Sequence, residues 1–152
     1  MIRIMKNNDS LLKMIVYFES RINELLVLRN GLKIRLSSFL SNSGNKYISP
    51  KELFCLSLIT CFYQTTQKYL SSEEDVNFKS EIKSKILCIT NRDESGFYFK
   101  IDLFLAIRDF SLSKTEQVMF FIHKKCPISR MLENYKYINL KATNYDEIEN
   151  DN

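Results

Sequence analysis

Two cysteines stand in settings unlike the other two. Cys61 falls in the most apolar stretch of the chain, and Cys126 directly precedes Pro127, where helical backbone is disfavoured. They are 65 positions apart. A pair of this kind can reduce a peroxide. One thiolate attacks a peroxide oxygen and becomes a sulfenic acid. A second thiol condenses with it to a disulfide, which a reductant reopens. The competing reading of the same residues is two small apolar side chains in a core. Spacing alone does not choose between them.

The other candidates read as structural. Cys55 lies six positions before Cys61, about 120° away around a helix, and cannot readily share its partner. Cys88 falls on one strand face with Ile82 and Ile86 and reads as a core thiol. No two cysteines form a CxxC pair, which excludes a zinc ribbon and a thioredoxin-type motif. His123 is the only histidine. It leaves one base for a Cys-His arrangement and rules out a His-rich metal site within one chain. Three residues before Cys126, it is placed either to tune that thiol or to be exposed or locally hydrogen-bonded. Phe54, Phe62 and Tyr63 are candidates to line an apolar pocket, though residues at helical spacing are more often core.

These residues need elements to position them. Leu11–Arg29 carries both a helical apolar face and a β-branched, aromatic run. Asn30-Gly31, a strong hairpin signal, tips the balance toward an N-terminal meander of strands. Ser49-Pro50-Lys51-Glu52 has the cap, the first-turn proline and the glutamate of a capping box. It opens a helix running through Leu53–Leu70, apolar on nearly every face of its first half and so expected to be buried all round. A turn is expected at Ser71–Asp75. Glu81–Ile89 and Phe97–Arg108 alternate as strands around a turn at Asn91–Gly96. Ser111 or Ser113 starts a second helix over Thr115–Lys125, which Pro127 ends. Tyr137–Ala142 alternates as a last strand. The order is that of an α+β domain spanning 1–152, with 1–10 and 144–152 expected to fray.

Composition excludes several classes. The chain has 152 residues, 45% apolar and 26% charged, enough for one folded core and unlike a disordered tail. No apolar run approaches the roughly 20 residues of a membrane span. No secretory signal is recognisable at the N-terminus, and a cytoplasmic location is expected. The net charge is +4, from 22 basic and 18 acidic residues. Lys and Arg are scattered without aromatic interleaving, so the excess reads as solvated faces rather than a nucleic-acid groove.

Ser49-Pro-Lys-Glu-Leu-Phe-Cys-Leu-Ser-Leu-Ile-Thr-Cys61-Phe resembles the first motif of the OsmC/Ohr superfamily, and Cys126-Pro-Ile-Ser129 resembles its second. Both occur in order and at a similar separation, and the resemblance covers roughly 18–143. It implies an OsmC-like α+β fold: antiparallel sheets around a buried central helix, in an intertwined homodimer with sites at the dimer interface. It implies thiol-dependent reduction of organic hydroperoxides, with no cofactor and a dithiol reductant such as a lipoyl group. Carried over, Cys61 is the peroxidatic cysteine, Cys126 the resolving one and Arg21 the guanidinium that supports the Cys61 thiolate, with Arg29 and Arg35 as alternatives. The family often places a Glu directly after the Pro, to orient that Arg. Here Lys51 stands at that position and Glu52 follows, so both are candidate orienting or tuning residues. The residues before Cys61 are bulkier than the family's usual Ala-rich run. The alternative reading is an OsmC-like protein that binds a small apolar or sulfur-containing ligand without turnover. A small basic nucleic-acid binder is a third, from another class.

Overall fold

A computed structural model describes residues 49–73 and 81–150, together with the backbone of five short strands before them. Met1–Leu53 and Phe54–Asn152 form two compact units. In the first, Ile2–Arg3 (β1) pairs antiparallel with Lys13–Met14 (β2), although the first ten residues were expected to fray. Val16–Glu19 (β3), Glu24–Val27 (β4) and Leu32–Arg35 (β5) form the expected antiparallel meander. β4 and β5 pair out to Val27 and Leu32, so their connection spans the Asn30-Gly31 step. The ambiguous stretch thus resolves toward its β-branched and aromatic content.

Helix α1 runs Pro50–Glu73. Its start is the predicted capping box: Ser49 N–H donates to Glu52 Oε2 at 2.7 Å, and Glu52 N–H donates to Ser49 Oγ at 3.2 Å. Its end lies past the turn expected from Ser71. Ser71 Oγ and Ser72 Oγ instead donate back to the carbonyls of Gln67 and Tyr69, as serines do inside a helix. The helix is not buried all round either. Leu58, Phe62, Thr66 and Leu70, four apart, make one buried stripe, whereas Leu56 is 57% exposed. Phe62 and Leu70 join Leu103, Leu105 and Ile107 of the sheet in the main core. Such a surface covers one face of the helix, whatever the composition of the others.

Ile82–Asp93 (β6) and Gly96–Ile107 (β7) form a long antiparallel hairpin. The turn is two residues, Glu94-Ser95, not the longer Asn91–Gly96 expected. Asp93 Oδ1 accepts the Ser95 N–H at 2.8 Å, and Gly96 takes φ 123°, which few side chains tolerate. Asn91 and Arg92 therefore stay in the ladder, opposite Tyr98 and Phe97. Leu112–Lys125 (α2) follows β7, and then Ile138–Ala142 (β8) pairs with β7 in parallel. This corrects the all-antiparallel expectation. A helix between two adjacent strands carries the chain back to its starting edge, and the returning strand runs the same way. Asp102 fixes the register. Its two oxygens accept from Asn139 Nδ2 at 2.8 Å and Lys141 Nζ at 2.9 Å, both on β8.

The segment after β8, expected to fray, is folded in turns across the other face of the sheet. Ile148 is buried against Phe104 and Ala106. Lys83 Nζ donates to Glu149 Oε1 at 2.9 Å and Lys85 Nζ to the Ile148 carbonyl at 3.2 Å. The Tyr145 ring has cations near it, Lys83 Nζ at 4.2 Å and Arg108 at 4.1 Å. With both sheet faces covered, Ile101 to Ile107 are buried without interruption, not on alternate residues.

Candidate active site

α1 carries Cys61 one residue before the buried Phe62. One helical step is about 100°, so Cys61 sits at the edge of the buried stripe and is half-buried. Cys126 arrives from the other side. Ser111 Oγ accepts the Lys114 N–H at 3.1 Å and caps α2. The amphipathic face of the helix buries Val118, Met119, Ile122 and His123. At Cys126 the backbone leaves the helix for φ −66°, ψ 120°, as a residue before proline should, while its N–H still bonds to Ile122 O at 2.8 Å. A 3-10 turn, Ser129–Leu132, follows.

This geometry brings the two predicted cysteines together. Cys126 Sγ lies 3.1 Å from Cys61 Sγ, in hydrogen-bond contact. All four cysteines are thiols. Cys126 is fully buried. Burial pushes its thiol up, and the neighbouring Cys61 adds to that, while backbone N–H groups at Ser129 and Ile128 pull it down. Ser129 N–H lies 3.5 Å from Cys126 Sγ. On its other side, Ser129 Oγ lies 2.6 Å from His123 Nδ1. His123 is buried, which holds it below its ordinary range, with Glu133 raising it and Lys124 lowering it by smaller amounts.

A cavity of about 440 Å³ opens on the Cys61 side, lined by Leu56, Ser57, Thr60, Cys61, Gln64 and Ile128. The aromatic candidates are elsewhere. Phe62 is core, Tyr63 lines a separate cavity of about 440 Å³ with Ile82 and Lys83, and Phe54 is absent from both linings. Helical phase decides this. Ser57 and Gln64 lie four before and three after Cys61, and Thr60 lies three and four from those two, so all share one face. Phe62 instead lies on the buried stripe with Leu58 and Thr66.

Ser129 is the residue that sequence reasoning passed over, although its place three residues after Cys126 in the second motif was the signal. His123 proves to be locally hydrogen-bonded. Glu52 has its carboxylate on the Ser49 N–H, which holds it below the usual carboxylate range. Lys51 is half-buried in the first turn of α1. Arg21 and Arg29 lie outside the described residues, and Arg35 is in β5, described for its backbone. Among the described residues, no helix is long and apolar enough to cross a membrane.

The fold and the paired thiols define an α+β protein with a two-cysteine site beside an open cavity. Residues 43–141, well over half of the chain, match the family described as OsmC-like protein, and the chain belongs to that family. Solved structures agree. An organic hydroperoxide resistance protein OsmC from Legionella pneumophila is 17% identical, with a TM-score of 0.66 over 90% of this chain and 98% of that one. OhrB, the organic hydroperoxide resistance protein of Bacillus subtilis, is 19% identical, with a TM-score of 0.63 over 89% and 99%. An organic hydroperoxide resistance protein from Elizabethkingia anophelis is 18% identical, with a TM-score of 0.66 over 90% and 97%. At these identities the likeness is one of fold. No curated protein sequence matches the chain.

Proposed function

We propose that this protein is a thiol-dependent reductase of organic hydroperoxides. The observation that carries the reading is the 3.1 Å approach of Cys126 Sγ to Cys61 Sγ beside a cavity that reaches Cys61. The solved structures of the same fold named as organic hydroperoxide resistance proteins support it.

In this reading Cys61 attacks the terminal peroxide oxygen as its thiolate. The O–O bond breaks, the alkoxide takes a proton and leaves as the alcohol, and Cys61 is left as a sulfenic acid. Cys126 then attacks the Cys61 sulfur, the S–O bond breaks, water leaves and a disulfide forms. A dithiol, of which a lipoyl group is one kind, reopens it. Arg21 is the proposed guanidinium beside the Cys61 thiolate, and Lys51 and Glu52 the proposed tuning residues. The proposed assembly is a homodimer, and the proposed compartment the reducing cytoplasm, where Cys61 and Cys126 return to thiols between turnovers.

A second reading, ligand binding without turnover, is favoured by one observation. Lys51 stands directly after Pro50, where the family often has a Glu, and the Glu52 that follows accepts the Ser49 N–H of the helix cap. One equivalent of cumene hydroperoxide, followed by intact mass and peptide mapping, separates the two. A rapid Cys61–Cys126 disulfide, absent in Cys61→Ser, is expected of the reductase. Thiols that stay reduced, or oxidise slowly to scattered products, would leave the binding reading.

A further inference from the structure

His123 and Ser129 have no part in the chemistry above, yet both are buried, Ser129 against the Cys126 sulfur and His123 against Ser129. His123 ends α2 on its buried side, and Ser129 opens the 3-10 turn. The 2.6 Å bond between Nδ1 and Oγ therefore ties together the two ends of the Cys126-Pro127-Ile128 bend. The Arg130 N–H, bonded to the Cys126 carbonyl at 2.9 Å, reinforces the bend. The result is an N–H, that of Ser129, held against the buried Cys126 sulfur. The charged groups that bear on His123 are Glu133, beyond the 3-10 turn, and Lys124, its helix neighbour. Cys61 faces the same sulfur from α1.

We propose that His123 is a positioning residue for the resolving step: by holding Ser129, it keeps the Ser129 N–H aimed at the Cys126 sulfur as that sulfur becomes a thiolate. The inference rests on the hydroperoxide-reductase reading. In the step concerned, the Cys126 S–H bond breaks and its proton leaves with the Cys61 hydroxyl as water. The Cys126 electron pair forms the S–S bond as the Cys61 S–O bond breaks. When a dithiol reopens the disulfide at Cys61, the half-buried sulfur, Cys126 leaves as a thiolate and meets the same N–H. A fixed dipole already aimed at the charge requires no reorganisation, and it counts for more where water is excluded.

The test resolves the two steps in the full chain. Sulfenic acid at Cys61 is trapped with a cyclic dione after cumene hydroperoxide, and disulfide formation is followed separately. His123→Leu and Ser129→Ala remove the tie. His123→Asn keeps a polar group near the position of Nδ1. The expected result is sulfenic acid formation within about twofold of the parent but disulfide formation slowed about tenfold in the first two, the scale of one hydrogen bond to a charged group. His123→Asn is expected to recover most of the rate. Unchanged disulfide formation in His123→Leu would overturn the proposal, as would His123→Asn no faster than His123→Leu. If His123→Leu does not fold, Ser129→Ala carries the same expectation, and a parental rate there overturns it.

A parent chain that never oxidises Cys61 would sink the reductase reading itself. The hold on Cys126 is still testable then, through the pH profile of its alkylation in a Cys61→Ser background. Adding His123→Leu is expected to move that profile to higher pH, and an unmoved profile overturns the hold.

Discussion

α2 gives up its helical backbone at Cys126 because Pro127 follows, and the bend that results carries Ser129 back to His123. Both side chains are buried where a charge is costly. For His123 this has a measurable consequence. Its folded form resists protonation more than the unfolded chain does, with an ordinary value of about 6.5 for the latter. The unfolded state therefore binds the extra proton as pH falls below about 6.5, and stability is lost in that direction. Urea unfolding at pH 7.5 and pH 5.5 should show the loss, and His123→Asn should flatten the pH dependence over that window. Equal slopes for parent and variant would mean that His123 is not the group responsible. A local hydrogen bond was one sequence reading of His123, but neither its burial nor its partner, Ser129, was legible, because they depend on a bend whose direction only the packing sets.

Among the elements, those with local signals were readable. The capping box at Ser49–Glu52 and the stop at Pro127 act through neighbours within a turn, as does the cap of α2, for which Ser111 was one of two candidates. The β6–β7 hairpin was readable from alternation, but its turn was not: Asn91 and Arg92 look like turn residues and are held in the ladder by a twelve-residue partner strand. The direction of β8 was missed because alternation is the same in parallel and antiparallel strands. Asp102 is the residue that pins β8. Burial pushes its carboxyl up, but the bonds from Asn139 and Lys141 outweigh this and hold it below its usual range. Asp102→Ala should therefore cost about 2 kcal/mol, on the scale of hydrogen bonds to a charged group. Urea melts give that number, and hydrogen exchange should locate the loss in β8. A cost confined to β6 would contradict this account.

At the scale of the molecule, the acidic C-terminal segment belongs to the fold because the sheet offers Lys83, Lys85 and Arg108 to it and Ile148 closes over Phe104 and Ala106. Ile148→Ala should destabilise the protein by at least about 2 kcal/mol, as a buried isoleucine does, and expose the Phe104 face. A urea midpoint equal to the parent's would show that the segment is not docked in solution. By itself the sequence determined what depends on neighbours in the chain: the alternation of the strands, the start of α1, the end of α2 and the pair of motifs that carry Cys61 and Cys126. Tertiary structure decided which stripe of an apolar helix is buried, which way the last strand runs and which side chains line the cavity at Cys61. It also decided that two thiols 65 residues apart meet at 3.1 Å, with Ser129 and His123 behind one of them. Those outcomes depend on which surfaces cover one another, and contact between distant segments leaves no periodicity for a single sequence to display.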